Sequence, residues 1–244
     1  MQLPHPPWTR LGKKLESLCR KALYEFELLE GVDHVGVALS GGKDSLCLLY
    51  LLKAISGRGF QPFKLTALHM SGAYSCGAGV SQRFLKEVCE ALDIELIVCQ
   101  SNLAVEQIEC YSCSRERRGA LFAAAKERGI GTIAFGHHRD DSIQTLLMNL
   151  LHKAEFAAML PKVPMHDYGI TLIRPLIFAA EEDILSFAGL YGFSRVTCQC
   201  PVGQTSLRSS TKQLIKELEK TFPHTRENLS QASLVYGSKK ALIK

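Results

Sequence analysis

The 244-residue chain has no uninterrupted apolar run of the roughly 18 residues needed to span a bilayer as a helix; even the stretch from Leu46 to Leu52 is stopped by Lys53. Its opening, MQLPHPPWTRLGKK, lacks the apolar segment that precedes a signal-peptide cleavage site. A cytoplasmic protein with no membrane association is the expectation. No internal repeat is present, and no Gly- or Ser-rich linker separates two independent domains. Nineteen glycines and nine prolines are ordinary counts, which excludes collagen-like and low-complexity classes, and a 46% hydrophobic content excludes disorder. Nine cysteines cannot all pair within one chain, and a reducing compartment disfavours a disulfide framework. Cys47, Cys89 and Cys99 fall in strand- or helix-like segments and are expected core residues, and others are candidate ligands.

What is present reads as an α/β chain. Residues 1–10 look like a frayed leader, and Leu15, Leu18, Ala22 and Phe26 then recur at helical steps. Strand-like runs (Val35 to Leu39, Leu65 to His69, Glu95 to Cys99, Thr132 to Phe135) alternate with helical patterns at Leu46 to Lys53, Ser81 to Leu92, Arg115 to Arg128 and Asp141 to Leu151. Such alternation implies a parallel sheet with helices on both faces, whose strand C-terminal ends form the ligand-binding edge. After a Pro-marked stretch come a strand candidate, Ile170 to Arg174, and helices at Glu181 to Tyr191 and Leu207 to Thr221. The division expected is a leader and helix (1–30), a nucleotide-binding domain (31–176) and a small, mainly helical C-terminal appendage (177–244).

Ser40-Gly41-Gly42-Lys43-Asp44-Ser45 joins the first strand to a helix. The backbone N–H groups of such a turn, backed by a helix N-terminus, cradle an anion. Lys43 supplies positive charge, and Ser40 and Ser45 supply hydroxyl donors. The Walker loop would need glycine in place of Val37 and Ser or Thr in place of Asp44. A carboxylate there would repel phosphate, so Asp44 is expected to act through magnesium. SGGKDS resembles the signature of the PP-loop ATP pyrophosphatases, of the adenine-nucleotide alpha-hydrolase-like fold. That resemblance implies ATP cleavage between the α and β phosphates and adenylation of a substrate. Gly136-His137-His138-Arg139-Asp140-Asp141, after the fourth strand, looks like the second motif of the same family. It makes Gly136 and His137 candidate ATP-binding residues and Asp140 and Asp141 candidate catalytic or magnesium-binding acids. His69, at the end of the second strand, is a further candidate for the nucleotide pocket.

Cys110 and Cys113 stand three apart, ahead of a helix opening with Arg115, Arg117 and Arg118, and Cys198 and Cys200 lie in the last third. A redox pair, a four-thiolate zinc site and an iron-sulfur cluster held by three cysteines all remain open on spacing alone. The cations favour thiolates, and three arginines at a helix start suggest an anion nearby. CxxCSRxRRG followed by GHHRDD, IRPL (Ile173 to Leu176) and a late cysteine before Gln204 is similar to the tRNA 2-thiocytidine synthetase family, TtcA, from about Val35 to about Leu207. The resemblance implies a 4Fe-4S cluster on Cys110, Cys113 and a third cysteine. The family pattern C-x-x-C-G-S-Q is C-Q-C-P-V-G-Q here, which favours Cys198 with Cys200 as the alternative. It further implies ATP and Mg2+ as cofactors, tRNA as substrate with cytidine at position 32 as target, and a sulfur donor such as a cysteine desulfurase.

Competing readings are a 2-thiouridine synthetase, which would carry extra terminal cysteine pairs, a lysidine synthetase-like ligase, which would not need the cysteines, and a non-catalytic nucleotide-binding module. The net charge of +5 permits RNA binding, and it is concentrated late: from Ser206 onward there are eight Lys or Arg against three acids. Arg208, Lys212, Lys216 and Lys220 form a stripe on the last long helix, opposite an expected core-facing side of Leu207, Leu214, Ile215, Leu218 and Phe222. Together with Arg115, Arg117 and Arg118 they are candidate RNA contacts, and the compact chain suggests a homodimer.

Overall fold

A computed structural model describes residues 3–71, 82–100, 110–193 and 207–236; for 110–117 the helix backbone is described and the side chains are not. Six strands form one sheet: β1 (His34–Ala38), β2 (Lys64–Ser71), β3 (Glu95–Gln100), β4 (Thr132–Ala134), β5 (Lys162–Met165) and β6 (Ile170–Ile173). Their order is β3-β2-β1-β4-β6-β5, all parallel except the antiparallel edge pair β5–β6. The eight helices described are α1 (Arg10–Glu25), α2 (Lys43–Ile55), α3 (Gln82–Ala91), α4 (Cys110–Glu127), α5 (Arg139–Lys153), α6 (Glu181–Tyr191), α7 (Leu207–Thr221) and α8 (Thr225–Tyr236). Among them none is long and apolar enough to cross a membrane.

Strand alternation sorts the core into two layers. Leu65 and Ala67 of β2 join Val35 and Val37 in a cluster with α1, α2, α3 and α6, whereas Leu68 and Met70 face Leu121, Phe122 and Ala125 of α4 on the other side. Helix α2 is the centre of the first layer. Nine of its thirteen residues are buried, including an unbroken run from Ser45 to Leu52, because α1, α6 and the sheet enclose it. Each fully buried leucine there contributes about 1.5–3 kcal/mol relative to exposure.

β1 lies between β2, which continues the sheet one way, and β4, which turns it the other way. This reversal opens a crevice at the strand C-terminal ends, and both candidate motifs leave the sheet there.

Several expectations need correction. Residues 3–9 are not a frayed leader: Trp8 is buried, its indole N–H donates to Glu16, and its ring meets Phe187 edge-on at 5.8 Å. The helix expected from Arg115 begins at Cys110, so Arg115, Arg117 and Arg118 lie beyond the first turn. The helix dipole is felt mainly within that turn, and the argument for an anion from dipole repulsion falls. Strand β5 was not expected, since Pro164 breaks a strand pattern; at a sheet edge a missing N–H is tolerated. Helix α8 was also not anticipated. On α7 the buried residues are Thr211 and Ile215, while Leu207, Leu214 and Phe222 are exposed. Cys47 and Cys89 are buried as expected, Cys19 is buried too, and Cys99 is only partly covered. The loop carrying Cys76 and the segment with Cys198, Cys200 and Gln204 lie outside the described residues.

Candidate active site

The phosphate loop is built as its composition requires. Gly41 takes a left-handed φ of +82°, open to glycine at little cost. Gly42 is the N-cap of α2, so the helix begins at Lys43 with free N–H groups at the loop. Ser40 Oγ accepts from the Gly42 N–H at 3.2 Å and lies 3.1 Å from Ser45 Oγ, which itself donates to the Gly42 carbonyl at 3.0 Å. His69, buried at the end of β2, donates through Nδ1 to the Leu39 carbonyl at 2.8 Å. It anchors the strand end from which the loop departs.

The second motif rests directly on this loop. A Cβ on Gly136 would come within 2.9 Å of the Asp44 carbonyl carbon and the Ser45 nitrogen, so glycine permits the close approach. His138 is 4% exposed and stands among three carboxylates: its Nε2 is 3.6 Å from Asp44 Oδ1 and 3.5 Å from Asp141 Oδ2, and its Nδ1 is 4.0 Å from Asp140 Oδ2. That Nδ1 has no hydrogen-bond partner among the described residues.

The two adjacent acids have different surroundings. Asp140 is 3% exposed and saturated: Oδ2 accepts the Glu181 N–H at the start of α6 at 2.8 Å, and Oδ1 accepts from Arg226 of α8. Asp141 is partly exposed, takes the His138 N–H at 3.2 Å, and faces Arg208 at 3.3 Å. Asp140 therefore ties helices together, and Asp141 is the acid available to a ligand.

Lys43 Nζ donates to Asp44 at 3.0 and 3.1 Å and lies 3.5 Å from Glu181 Oε1. Burial alone would lower its pKa, but the Asp44 and Glu181 carboxylates outweigh that and hold it above its ordinary value. Burial would likewise raise Glu181, yet the Lys212 hydrogen bond and the charge of Lys43 keep it below its usual range.

On the other side of the crevice His137 stacks on Phe135, with ring centroids 5.6 Å apart, and its Nδ1 accepts from Arg174 Nε at 3.3 Å. Burial and the Arg174 charge lower His137 to about 4. The ring is neutral at pH 7, with its proton on Nε2. Burial and the charge of Arg118 bring Arg174 down to about 10, so α4 extends its third turn toward this pair.

A PP-loop domain family model matches residues 10–196. The tRNA-cytidine(32) 2-sulfurtransferase of Syntrophotalea carbinolica is 33% identical over 228 residues, covering 90% of this chain and 88% of the relative. That of Stenotrophomonas maltophilia is 36% identical over 236 residues, covering 93% and 78%. The chain belongs to the PP-loop family, in its tRNA-cytidine 2-sulfurtransferase branch. A solved structure, the U34-tRNA thiolase NcsA from Methanococcus maripaludis with its 4Fe-4S cluster, superposes with a TM-score of 0.73 at 22% identity, over 96% of this chain and 80% of that one. The fold is thus that of a PP-loop protein.

Within this PP-loop frame, Ser40 to Ser45, His69, Gly136, His137 and Asp141 gather at one crevice, and Asp140 stands beneath it as a strut. Arg208 and Lys212 of the basic stripe turn to Asp141 and Glu181. Lys220 pairs with Glu217 of its own helix, and Lys216 is exposed. Cys110 and Cys113 open α4 three residues apart, on one helix face, and the Arg115 and Arg117 side chains lie outside the described residues. Residues missed from sequence are His138, Glu181 and Arg226; Arg174 lies in IRPL but was given no role there. For His138 the motif itself was the available signal. Glu181 and Arg226 act through partners distant in the chain, Lys43 and Asp140 among them, which no local pattern reports. A cavity of about 480 Å³ lined by Lys53, Phe63, Lys64 and Glu95 opens at the opposite end of the strands and contains none of these groups.

Proposed function

We propose that this chain adenylates the C2 carbonyl oxygen of a tRNA cytidine with ATP and replaces that oxygen by sulfur, giving 2-thiocytidine at position 32. The observation that carries the reading is convergence: the phosphate loop and the GHHRDD loop meet at the β1/β4 crevice, and Arg118 of α4, the helix that Cys110 and Cys113 open, acts on Arg174 beside His137. The sequence kinship to tRNA-cytidine(32) 2-sulfurtransferases supports cytidine over uridine as the target.

Oxide is too poor a leaving group to be displaced from a pyrimidine directly. Attack of the carbonyl oxygen on the α-phosphate forms an O–P bond and expels pyrophosphate; a sulfur nucleophile then adds to C2 and AMP departs with the oxygen. The phosphate-loop N–H groups and Lys43 bind the triphosphate and oppose the charge growing on the leaving pyrophosphate. Asp44 and Asp141, both partly exposed and flanking His138, have the donor chemistry to hold Mg2+, which would neutralise phosphate charge. Cys110, Cys113 and Cys198 are the thiolate set proposed for a 4Fe-4S cluster, which when bound would present sulfur to the activated ring. His137, neutral and oriented by Arg174, offers an Nε2–H donor to nucleotide or base. A cysteine desulfurase-type sulfur donor and a homodimer that widens the RNA grip complete the proposal, with the cytoplasm as its location.

Mass spectrometry of tRNA from a deletion strain tests the product. Loss of 2-thiocytidine, restored by the wild-type gene and not by Cys110→Ala or Cys113→Ala, supports the reading; 2-thiocytidine persisting in the deletion strain defeats it. Anaerobic iron and sulfide analysis of the Cys198→Ala and Cys200→Ala proteins decides the third ligand.

A further inference from the structure

The basic stripe of α7 does not simply face solvent. Arg208, in its first turn, reaches Asp141 Oδ1 at 3.3 Å. Lys212, one turn later on the same face, donates to Glu181 Oε2 at 2.6 Å. The other oxygen of that carboxylate lies 3.5 Å from Lys43 Nζ. One carboxylate thus bridges the phosphate-loop lysine and a lysine brought in from a helix more than 160 residues later in the chain. Ile215 of α7, packed with Ile143 and Leu147 of α5, sets the helix in this position.

These ion pairs are weak ones. The Arg208 and Lys212 side chains are 46% and 42% exposed, and pairs of that kind contribute only about 0–1 kcal/mol. A nucleotide triphosphate offers the same cations more negative charge and several acceptor oxygens, at the place where Lys43 already ends. Glu181 stays ionised between Lys43 and Lys212, so it holds two cations around a single anion, as a phosphate would. An RNA-gripping stripe would instead leave its cations exposed to solvent, as Lys216 is.

We infer that Arg208 and Lys212 are ligands of the β- and γ-phosphates of the nucleotide, and of the pyrophosphate released from it, with Asp141 and Glu181 holding them in place until the triphosphate enters. The inference rests on the ATP-dependent reading above and adds a second set of phosphate ligands, from α7, to the phosphate loop. α7 then closes the crevice on the pyrophosphate side, and release of pyrophosphate returns both cations to their carboxylates.

Calorimetric titration of the full chain with magnesium and AMPCPP, whose α,β-bridge resists cleavage, with inorganic pyrophosphate and with AMP tests this. Arg208→Ala and Lys212→Ala each weaken AMPCPP and pyrophosphate by about tenfold or more and leave AMP within about twofold, as expected for loss of a charged hydrogen bond. Glu181→Gln, which removes the competing carboxylate, tightens pyrophosphate severalfold, a change of opposite sign that no loss of structure produces. Unchanged AMPCPP binding in both alanine variants overturns the inference while the nucleotide reading stands. Weakening of AMP to the same extent as AMPCPP, or a loss confined to tRNA binding with a shallower salt dependence, also overturns it. A wild-type chain that binds neither AMPCPP nor pyrophosphate overturns the inference together with the reading beneath it.

Discussion

Replacing Gly136 by alanine adds a single methyl group, and the structure says where it would go. The new Cβ would sit 2.9 Å from the Asp44 carbonyl carbon and from the Ser45 nitrogen. Nonbonded carbon contacts are comfortable at about 3.5–4.0 Å, so the two loops must separate by about 0.6 Å or more. No flexible side chain can yield, because the opposing atoms are backbone of the first turn of α2, a helix buried from Ser45 to Leu52. Overpacking of this kind costs about 1–3 kcal/mol. In a chain of this size each kcal/mol lowers Tm by about 2–4 °C. The larger effect is on chemistry: a displacement of about 1 Å between reacting groups can cost a hundredfold in rate, so a shift of this size costs about tenfold. Differential scanning calorimetry, AMPCPP titration and single-turnover tRNA thiolation measure the three quantities. Gly119→Ala is the control: it lies within α4 with nothing inside 4 Å of a new Cβ, and it is expected to add about 0.5–1 kcal/mol of stability. A Gly136→Ala protein with wild-type Tm, affinity and turnover would refute the claim that close approach of the two loops builds the site.

The neighbouring acids should fail in opposite ways. Asp140→Asn strips charge from a buried pair with Arg226 and lowers stability by about 3 kcal/mol in denaturant titrations, whereas Asp141→Asn shifts stability by less than about 1 kcal/mol and slows turnover by about a hundredfold. His137 gives a pH signature. Its pKa is lowered to about 4 in the fold against an ordinary 6.5, so its contribution is whole above pH 6.5 and fades as pH falls toward 4, where the unfolded chain binds the extra proton. Denaturation midpoints across that window should show a slope of at most about 1.4 kcal/mol per pH unit from this group, and His137→Gln should remove it.

Much of the architecture was legible because its signals are local. Val35 and Val37 mark a doubly buried central strand, and SGGKDS and GHHRDD each carry their chemistry within six consecutive residues. Other features depend on chain segments that meet only in the fold. The split between Asp140 and Asp141 is set by Arg226 and by the Glu181 N–H, neither detectable near the motif. The start of α4 was hidden because Cys-Tyr-Ser-Cys-Ser has no apolar periodicity to announce a helix. Trp8 looked like part of a loose end because Pro4, Pro6 and Pro7 surround it, although its indole has both an apolar neighbour and a carboxylate acceptor. Helical spacing alone puts Leu207, Leu214, Ile215 and Phe222 together on the core side; Ile215 is buried there, but Thr211 is the other buried residue of α7 and the remaining three are exposed.

Strand β4 is only three residues long, fully buried, and laddered on both sides, to β1 through Val35–Val37 and to β6 through Thr171–Ile173. The Phe135 amide extends that ladder by donating to the Ile173 carbonyl at 2.9 Å. Its amide hydrogens should exchange with solvent only on opening of the sheet, so the GHHRDD loop leaves from a strand expected to be among the slowest to exchange. Helix α7 has a much smaller apolar footing, Ile215 against Ile143 and Leu147 of α5 and Leu229 of α8, and should exchange through a separate and cheaper opening. The floor of the crevice and the basic side chains that reach over it should then belong to different cooperative units, the second opening while the first stays folded.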